Sequence, residues 1–221
     1  MRFRAVVFDL DGTLVDSAPG LAVSLNRVLE EEGRRPLDLD AVKTMVGDGI
    51  HVLLERACAA SGQPLTEQET GRAVARFRAC YEADSIRHTA LNPGARDVLE
   101  HFTQRGIAMG LCTNKPHGAT LPLLAGLGLE RYFGAVLGGD SVPGVRKPDP
   151  GHVLAVLDAL NVPAEDAVMV GDSPNDVRAG RGAGLPVVAV TFGYPLGPIE
   201  ALGADVMIDH FDELAAVLER L

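Results

Sequence analysis

Seven residues of this chain have the types and placement to do chemistry together: Asp9, Asp11, Thr113, Asn114, Lys147, Asp172 and Asp176. Asp9 and Asp11 stand in Asp9-Leu10-Asp11-Gly12-Thr13, directly behind the apolar run Ala5-Val6-Val7-Phe8. Asp172 and Asp176 flank the turn Ser173-Pro174-Asn175, behind the run Ala167 to Val170. Four carboxylates in one crevice cannot all stay ionised unaided. Two unit charges about 4 Å apart repel by roughly 4 kcal/mol at an effective dielectric of about 20. A divalent cation and a nearby lysine would compensate. The donors on offer are oxygens, with no histidine or cysteine in these motifs, and such hard ligands favour Mg²⁺ over Zn²⁺.

Each piece also has a plainer reading. Asp9 and Asp11 could cap a helix, and Thr113-Asn114 could merely end a strand. On spacing alone, Lys147 in Arg146-Lys147-Pro148-Asp149-Pro150 reads as a surface lysine in a turn. The case for one shared site therefore rests on the elements that carry these residues.

Those elements are legible as short, uniformly apolar runs bounded by Gly, Asp or Asn: Ala5 to Phe8, Ile107 to Cys112, Ala135 to Leu137, Ala167 to Val170, Val187 to Val190 and Val206 to Ile208. Buried parallel strands look like this. Between them lie helical spacings. Ala95, Val98, Leu99 and Phe102 follow one helix face, with Asn92-Pro93 as its expected N-cap and first turn. Val153, Val156, Leu157 and Leu160 follow another, and Phe211, Leu214, Leu218 and Leu221 make a closing helix. The alternation predicts an α/β fold with a doubly wound, Rossmann-like parallel sheet. Ligands bind beyond the carboxyl ends of such strands, where the seven residues would gather.

Residues 16–88 differ. They show helical spacing (Leu21, Leu25, Val28, Leu29; then Ile50, Leu53, Leu54, Ala57) and no convincing strand. We expect a helical cap domain over 16–88, inserted into a catalytic core of 1–15 and 89–221, with hinges near Asp16 and Thr89. The bulk composition bounds the partners. A net charge of −10 argues against nucleic acid and against anionic membrane. Cys58, Cys80 and Cys112 form no CxxC pair, and reduced thiols are expected. The Ala5 to Phe8 run is too short for a membrane span or a signal peptide. A cytoplasmic protein, monomeric or homodimeric, is the expectation.

In this order the motifs resemble the haloacid dehalogenase superfamily over the whole chain. Asp9-Leu10-Asp11-Gly12-Thr13-Leu14-Val15-Asp16-Ser17 is similar to its first motif and Thr113-Asn114 to its second. Lys147-Pro148 and Gly171-Asp172-Ser173-Pro174-Asn175-Asp176 are similar to its third and fourth. The resemblance implies Asp9 as the nucleophile that forms a phosphoaspartate and Asp11 as acid and base. It implies Thr113, the Asn114 backbone, Gly12 and Thr13 around the phosphoryl group and Lys147 as the charge-balancing cation. Asp9, the Asp11 carbonyl and Asp172 would hold Mg²⁺, with Asp176 behind them. Because dehalogenating members lack the second aspartate, Asp11 points to phosphoryl transfer.

Within the superfamily the chain is most similar to phosphoglycolate phosphatases, through Val46-Gly47-Asp48-Gly49 and Thr191-Phe192-Gly193-Tyr194. The expected substrate is a small phosphate ester, 2-phosphoglycolate first. A sugar-phosphate or pyrophosphate hydrolase, a β-phosphoglucomutase-like mutase and a non-catalytic phosphate-binding protein are the alternatives. The loop Val46 to Ile50 carries no basic residue of the kind mutases use to grip a sugar phosphate. Lys43, Gly47, His51 and Arg56 are the candidates for reading the substrate. Each of the three polar ones, taken singly, reads more readily as part of a solvated helix face.

Overall fold

Apolar runs become interior strands because both faces of a parallel sheet must be covered. A computed structural model describes residues 2–194 and 197–221. Its main sheet has six strands: β1 (Ala5–Phe8), β2 (Ala108–Cys112), β3 (Ala135–Leu137), β4 (Ala167–Gly171), β5 (Val187–Val190) and β6 (Val206–Ile208). They lie in the order β3-β2-β1-β4-β5-β6, every neighbouring pair parallel. This is the doubly wound order, with its reversal beside β1.

The period of two along β1 explains the uninterrupted hydrophobicity. Val6 and Phe8 enter one core, with Leu99 and Phe102 of helix Ala95–Gln104, Leu123 and Leu124 of helix His117–Gly126, and Phe211 and Leu214 near the chain's end. Ala5 and Val7 enter the other, with Val153, Val156 and Leu157 of helix Pro150–Leu160 and Val177 of helix Pro174–Gly182. Register places Phe8 opposite Leu111 and Val170. Asp9, Cys112 and Gly171 thus come level at the carboxyl edge, and the residues that follow each strand project there together.

The chain divides into two compact units, Met1–Asp16 with Leu91–Leu221, and Ser17–Ala90. The second consists of helices Ala18–Glu31, Leu39–Lys43, Ile50–Ser61 and Glu67–Asp84. Leu25, Val28, Leu29, Leu54 and Phe77 are buried, and Phe77 stacks on Tyr81 with ring centroids 5.8 Å apart. Thr66 and Glu69 close a reciprocal capping box at the start of the longest of these helices.

Two local expectations change. Helix Ala95–Gln104 is capped by Gly94 in a left-handed conformation, not by Asn92. The Asn92 carbonyl accepts from Ala95 N at 3.0 Å, while its side chain is used elsewhere, as described below. The closing helix is short: Phe211 sits on a 3-10 turn, and the α-helix runs only Leu214–Leu218. Phe211 is held by an edge-on contact with Phe192, centroids 5.3 Å apart, which keeps it in the core without helical continuity. Among the described residues no helix is long and apolar enough to cross a membrane.

Candidate active site

The loop after β1 is fixed from three sides. Asp9 N donates to Val170 O at 2.9 Å, so the first carboxylate starts from the sheet's own hydrogen bonding. Asn92 Nδ2 donates to Thr13 O at 2.7 Å and to Gly12 O at 3.3 Å. The Thr13 hydroxyl, fully buried, donates to Asp172 Oδ1 at 3.2 Å, which ties the β1 loop to the β4 loop. Gly12 has φ +89, and a Cβ there would overlap the Asp172 carboxylate. Only glycine suits both conditions.

Lys147 is 3% exposed and lies among carboxylates, which overturns the surface-turn reading. Its Nζ donates to Asp9 Oδ1 and to Asp176 Oδ1, each at 2.6 Å. Asn114 Nδ2 donates to Lys147 O at 2.9 Å, linking the β2 loop to the loop that carries this lysine. Thr113, buried at the end of β2, donates its backbone N–H to Leu137 O and accepts Lys115 N on its hydroxyl at 3.2 Å.

Asp176 commits both oxygens to protein donors. Oδ2 accepts from Asp172 N (3.2 Å), Ser173 N (3.0 Å) and Ser173 Oγ (2.7 Å), while Oδ1 accepts from Lys147. Asp172 accepts Thr13 on one oxygen and Tyr194 N, at 2.7 Å, on the other. Tyr194 in turn donates its hydroxyl to Asp16 Oδ1 at 2.5 Å. The Gly193-Tyr194 pair thus backs the Asp172 carboxylate, a role that turn chemistry in the sequence conceals.

Oxygens of Asp9, Asp172 and Asp176 lie within 4.8 Å of one another. Burial pushes the Asp9 carboxyl up to about 7 from an ordinary 3.8; Lys147 pulls it down, and Asp176 and Asp11 repel it. Asp172 is raised well above the ordinary range by burial, then by Asp9 and Asp176. For Lys147 burial alone would lower the pKa, but Asp176 and Asp9 outweigh it and hold the ammonium charged above its usual range. Lys147 therefore faces three buried carboxylates, and two of these are held above the ordinary carboxylate range. That charge deficit and the all-oxygen donor set fit a divalent cation. Burial pushes the neighbouring Cys112 thiol up to about 12, so it offers no thiolate ligand.

Lys115 joins the site although it lies outside the seven residues that the motifs single out. It is 7% exposed, and its Nζ lies 3.2 Å from Asp11 Oδ1 and 3.4 Å from Oδ2. The signal was its place directly after Thr113-Asn114, in the same strand-end run. Lys43, Gly47, His51 and Arg56 belong to the second unit. There Arg56 pairs with Asp48 Oδ2 at 2.5 Å and donates to Met45 O at 3.2 Å, while His51 is exposed.

A Cβ at Gly193 would also overlap the Asp172 carboxylate. On the reading that Asp172 helps to hold a divalent cation, Gly193→Ala is expected to displace that carboxylate and lower activity about 10–100-fold. A divalent-metal activation curve, shifted to higher metal concentration, checks it.

A six-stranded doubly wound sheet with carboxylates and a buried lysine at one strand edge defines an α/β protein whose acidic site lies where such folds bind ligands. The model of the haloacid dehalogenase-like hydrolases matches residues 3–184. The chain belongs to that family. It is 46% identical over 215 residues to a phosphoglycolate phosphatase of Rhodospirillum rubrum, covering 96% of this chain and 89% of the relative. The crystal structure of a predicted phosphoglycolate phosphatase from Haemophilus somnus superposes with TM-score 0.91 at 32% identity, covering 99% of both chains. That of CbbY from Rhodobacter sphaeroides in complex with phosphate gives 0.80 at 25% identity over 96% of both.

Proposed function

We propose that this phosphoric monoester hydrolase removes phosphate from 2-phosphoglycolate, with Asp9 as nucleophile, Asp11 as acid and base, and Mg²⁺ as its metal. The observation that carries the reading is Lys147 bridging Asp9 and Asp176 inside a buried, under-neutralised carboxylate cluster at the strand edge. The substrate is favoured by near full-length similarity to phosphoglycolate phosphatases.

In the first step an Asp9 oxygen bonds to phosphorus while the bond from phosphorus to the ester oxygen breaks. Asp11 gives its proton to the departing oxygen, which leaves as glycolate. In the second, Asp11 takes a proton from water, the water oxygen bonds to phosphorus, and the Asp9 carboxylate and inorganic phosphate are released. Lys147 steadies Asp9 and offsets phosphoryl charge; Thr113 and the Asn114 backbone hold phosphoryl oxygens. Asp9 and Asp172, with the Asp11 carbonyl, would hold Mg²⁺, which when bound screens the repulsion between an anionic nucleophile and an anionic ester. Asp176 acts by holding Lys147 and the turn at Ser173 in place. The helical unit is proposed as a cap that shields the reaction from bulk water.

Steady-state assays across phosphomonoesters test the substrate. The expected result is a kcat/KM for 2-phosphoglycolate about 10-fold or more above those for hexose phosphates and pyrophosphate, activity lost on chelation and restored by Mg²⁺. Preference for a hexose phosphate, or release of an isomeric sugar phosphate with little free phosphate, would overturn it.

A further inference from the structure

We infer that Lys115 binds the carboxylate of the substrate and sets the enzyme's preference for a small phosphate ester bearing a second anion. The inference rests on the phosphoglycolate reading above and moves recognition of the second charge from residues 43–56 into the core unit.

The site holds two buried ammonium groups with different partners. Lys147 contacts Asp9 and Asp176, the carboxylates around the phosphoryl group. Lys115 contacts Asp11, the carboxylate that serves the leaving oxygen. The two chemical steps call on Lys147 and not on Lys115. A buried ammonium is costly to keep, so its retention calls for a reason.

Geometry supplies one. Asp11 must come within hydrogen-bond reach of the ester oxygen to protonate it. In 2-phosphoglycolate a single methylene separates that oxygen from the carboxylate carbon. A cation already in contact with Asp11 is therefore in range of the carboxylate when the ester oxygen lies on Asp11. The backbone of Lys115 is pinned, since its N–H donates to Thr113 Oγ1 at 3.2 Å and its carbonyl accepts Gly139 N at 2.8 Å. The side chain thus starts from a fixed point beside the phosphoryl-binding loop. Arg56, by contrast, is engaged by Asp48 and Met45 O within its own unit.

The rival role is purely positional: Lys115 would only hold Asp11 in place. Two substrates separate the roles, 2-phosphoglycolate and 2-hydroxyethyl phosphate, which replaces the carboxylate by an uncharged CH2OH. The ratio of their kcat/KM values is compared in wild type, Lys115→Gln, Lys115→Met and Lys115→Arg, with the melting temperature confirming that each variant is folded. We expect the ratio to fall about 100-fold in Lys115→Gln and Lys115→Met, mostly through KM for phosphoglycolate, and to be largely kept in Lys115→Arg. An equal loss on both esters, carried by kcat, overturns the inference and makes Lys115 a positioning residue for Asp11. A wild-type enzyme with no preference between the two esters overturns the substrate reading itself, and the inference with it.

Discussion

Asp9→Asn is expected to lower turnover of phosphomonoesters by about 10⁴-fold or more while leaving the fold in place, as removal of a covalent nucleophile does. The amide is nearly the same size and still offers Lys147 an acceptor at Oδ1, but it cannot form the acyl phosphate. Stability separates this outcome from misfolding. Burial raises the Asp9 carboxyl to about 7, above its ordinary 3.8. The folded protein therefore holds that proton more tightly than the unfolded chain, and ionising Asp9 costs stability as the pH rises through that interval. The amide has no proton to lose, and Lys147 keeps Asp176 as a partner. In chelator at pH 8 the variant is expected to melt at or above the wild-type temperature. Turnover and thermal melting of the same preparation check both halves. Rapid-quench trapping with radiolabelled substrate should show a hydroxylamine-labile label on wild type only. A variant that retains wild-type turnover removes Asp9 from the nucleophile's role.

How much of this was visible in the residues depended on the range of the interaction that fixes each one. The central strands were legible because a sheet covered on both faces demands apolar side chains at every position. The runs at Ala5 to Phe8 and Ala167 to Val170 meet that demand without interruption. Their carboxyl ends fixed the places of Asp9 and Asp172 with them. Lys147 was ambiguous because its neighbours Arg146, Pro148 and Asp149 describe a turn; only Asp9, 138 residues away, and Asp176, 29 away, show why it is buried. Asn92 has the local signature of a helix cap, but its amide serves Gly12 and Thr13 some 80 residues earlier. Gly193 and Tyr194 read as a loop until the Asp172 carboxylate is placed against them. Lys115 differed: its position in the chain was informative, but nothing local marks a partner 104 residues away.

Lys147→Met is expected to cost activity and stability together, with the stability loss growing with pH. The side chain is matched in length and apolar, so the change removes charge more than volume. It leaves Asp9, Asp172 and Asp176 buried without the ammonium that both Asp9 and Asp176 contact. Breaking a buried ion pair from one side destabilises by about 3–5 kcal/mol, because the remaining charge is left uncompensated. Here the carboxyls have an escape: they can bind protons. Asp9 and Asp172 already sit above their ordinary range with Lys147 present, and its removal pushes them further up. At pH 5 the variant can neutralise the cluster by protonation, whereas at pH 8 it must ionise groups that resist it. The gap in melting temperature between variant and wild type, measured in chelator, should therefore widen from pH 5 to pH 8. Added Mg²⁺ should narrow it at pH 8, since the metal supplies the missing positive charge. Turnover should stay low, by about 10³-fold, because stabilisation of the phosphoryl transition state is not restored. A gap that is constant across pH and indifferent to Mg²⁺ would mean that Lys147 contributes packing, and that the cluster's charge is balanced by some other group.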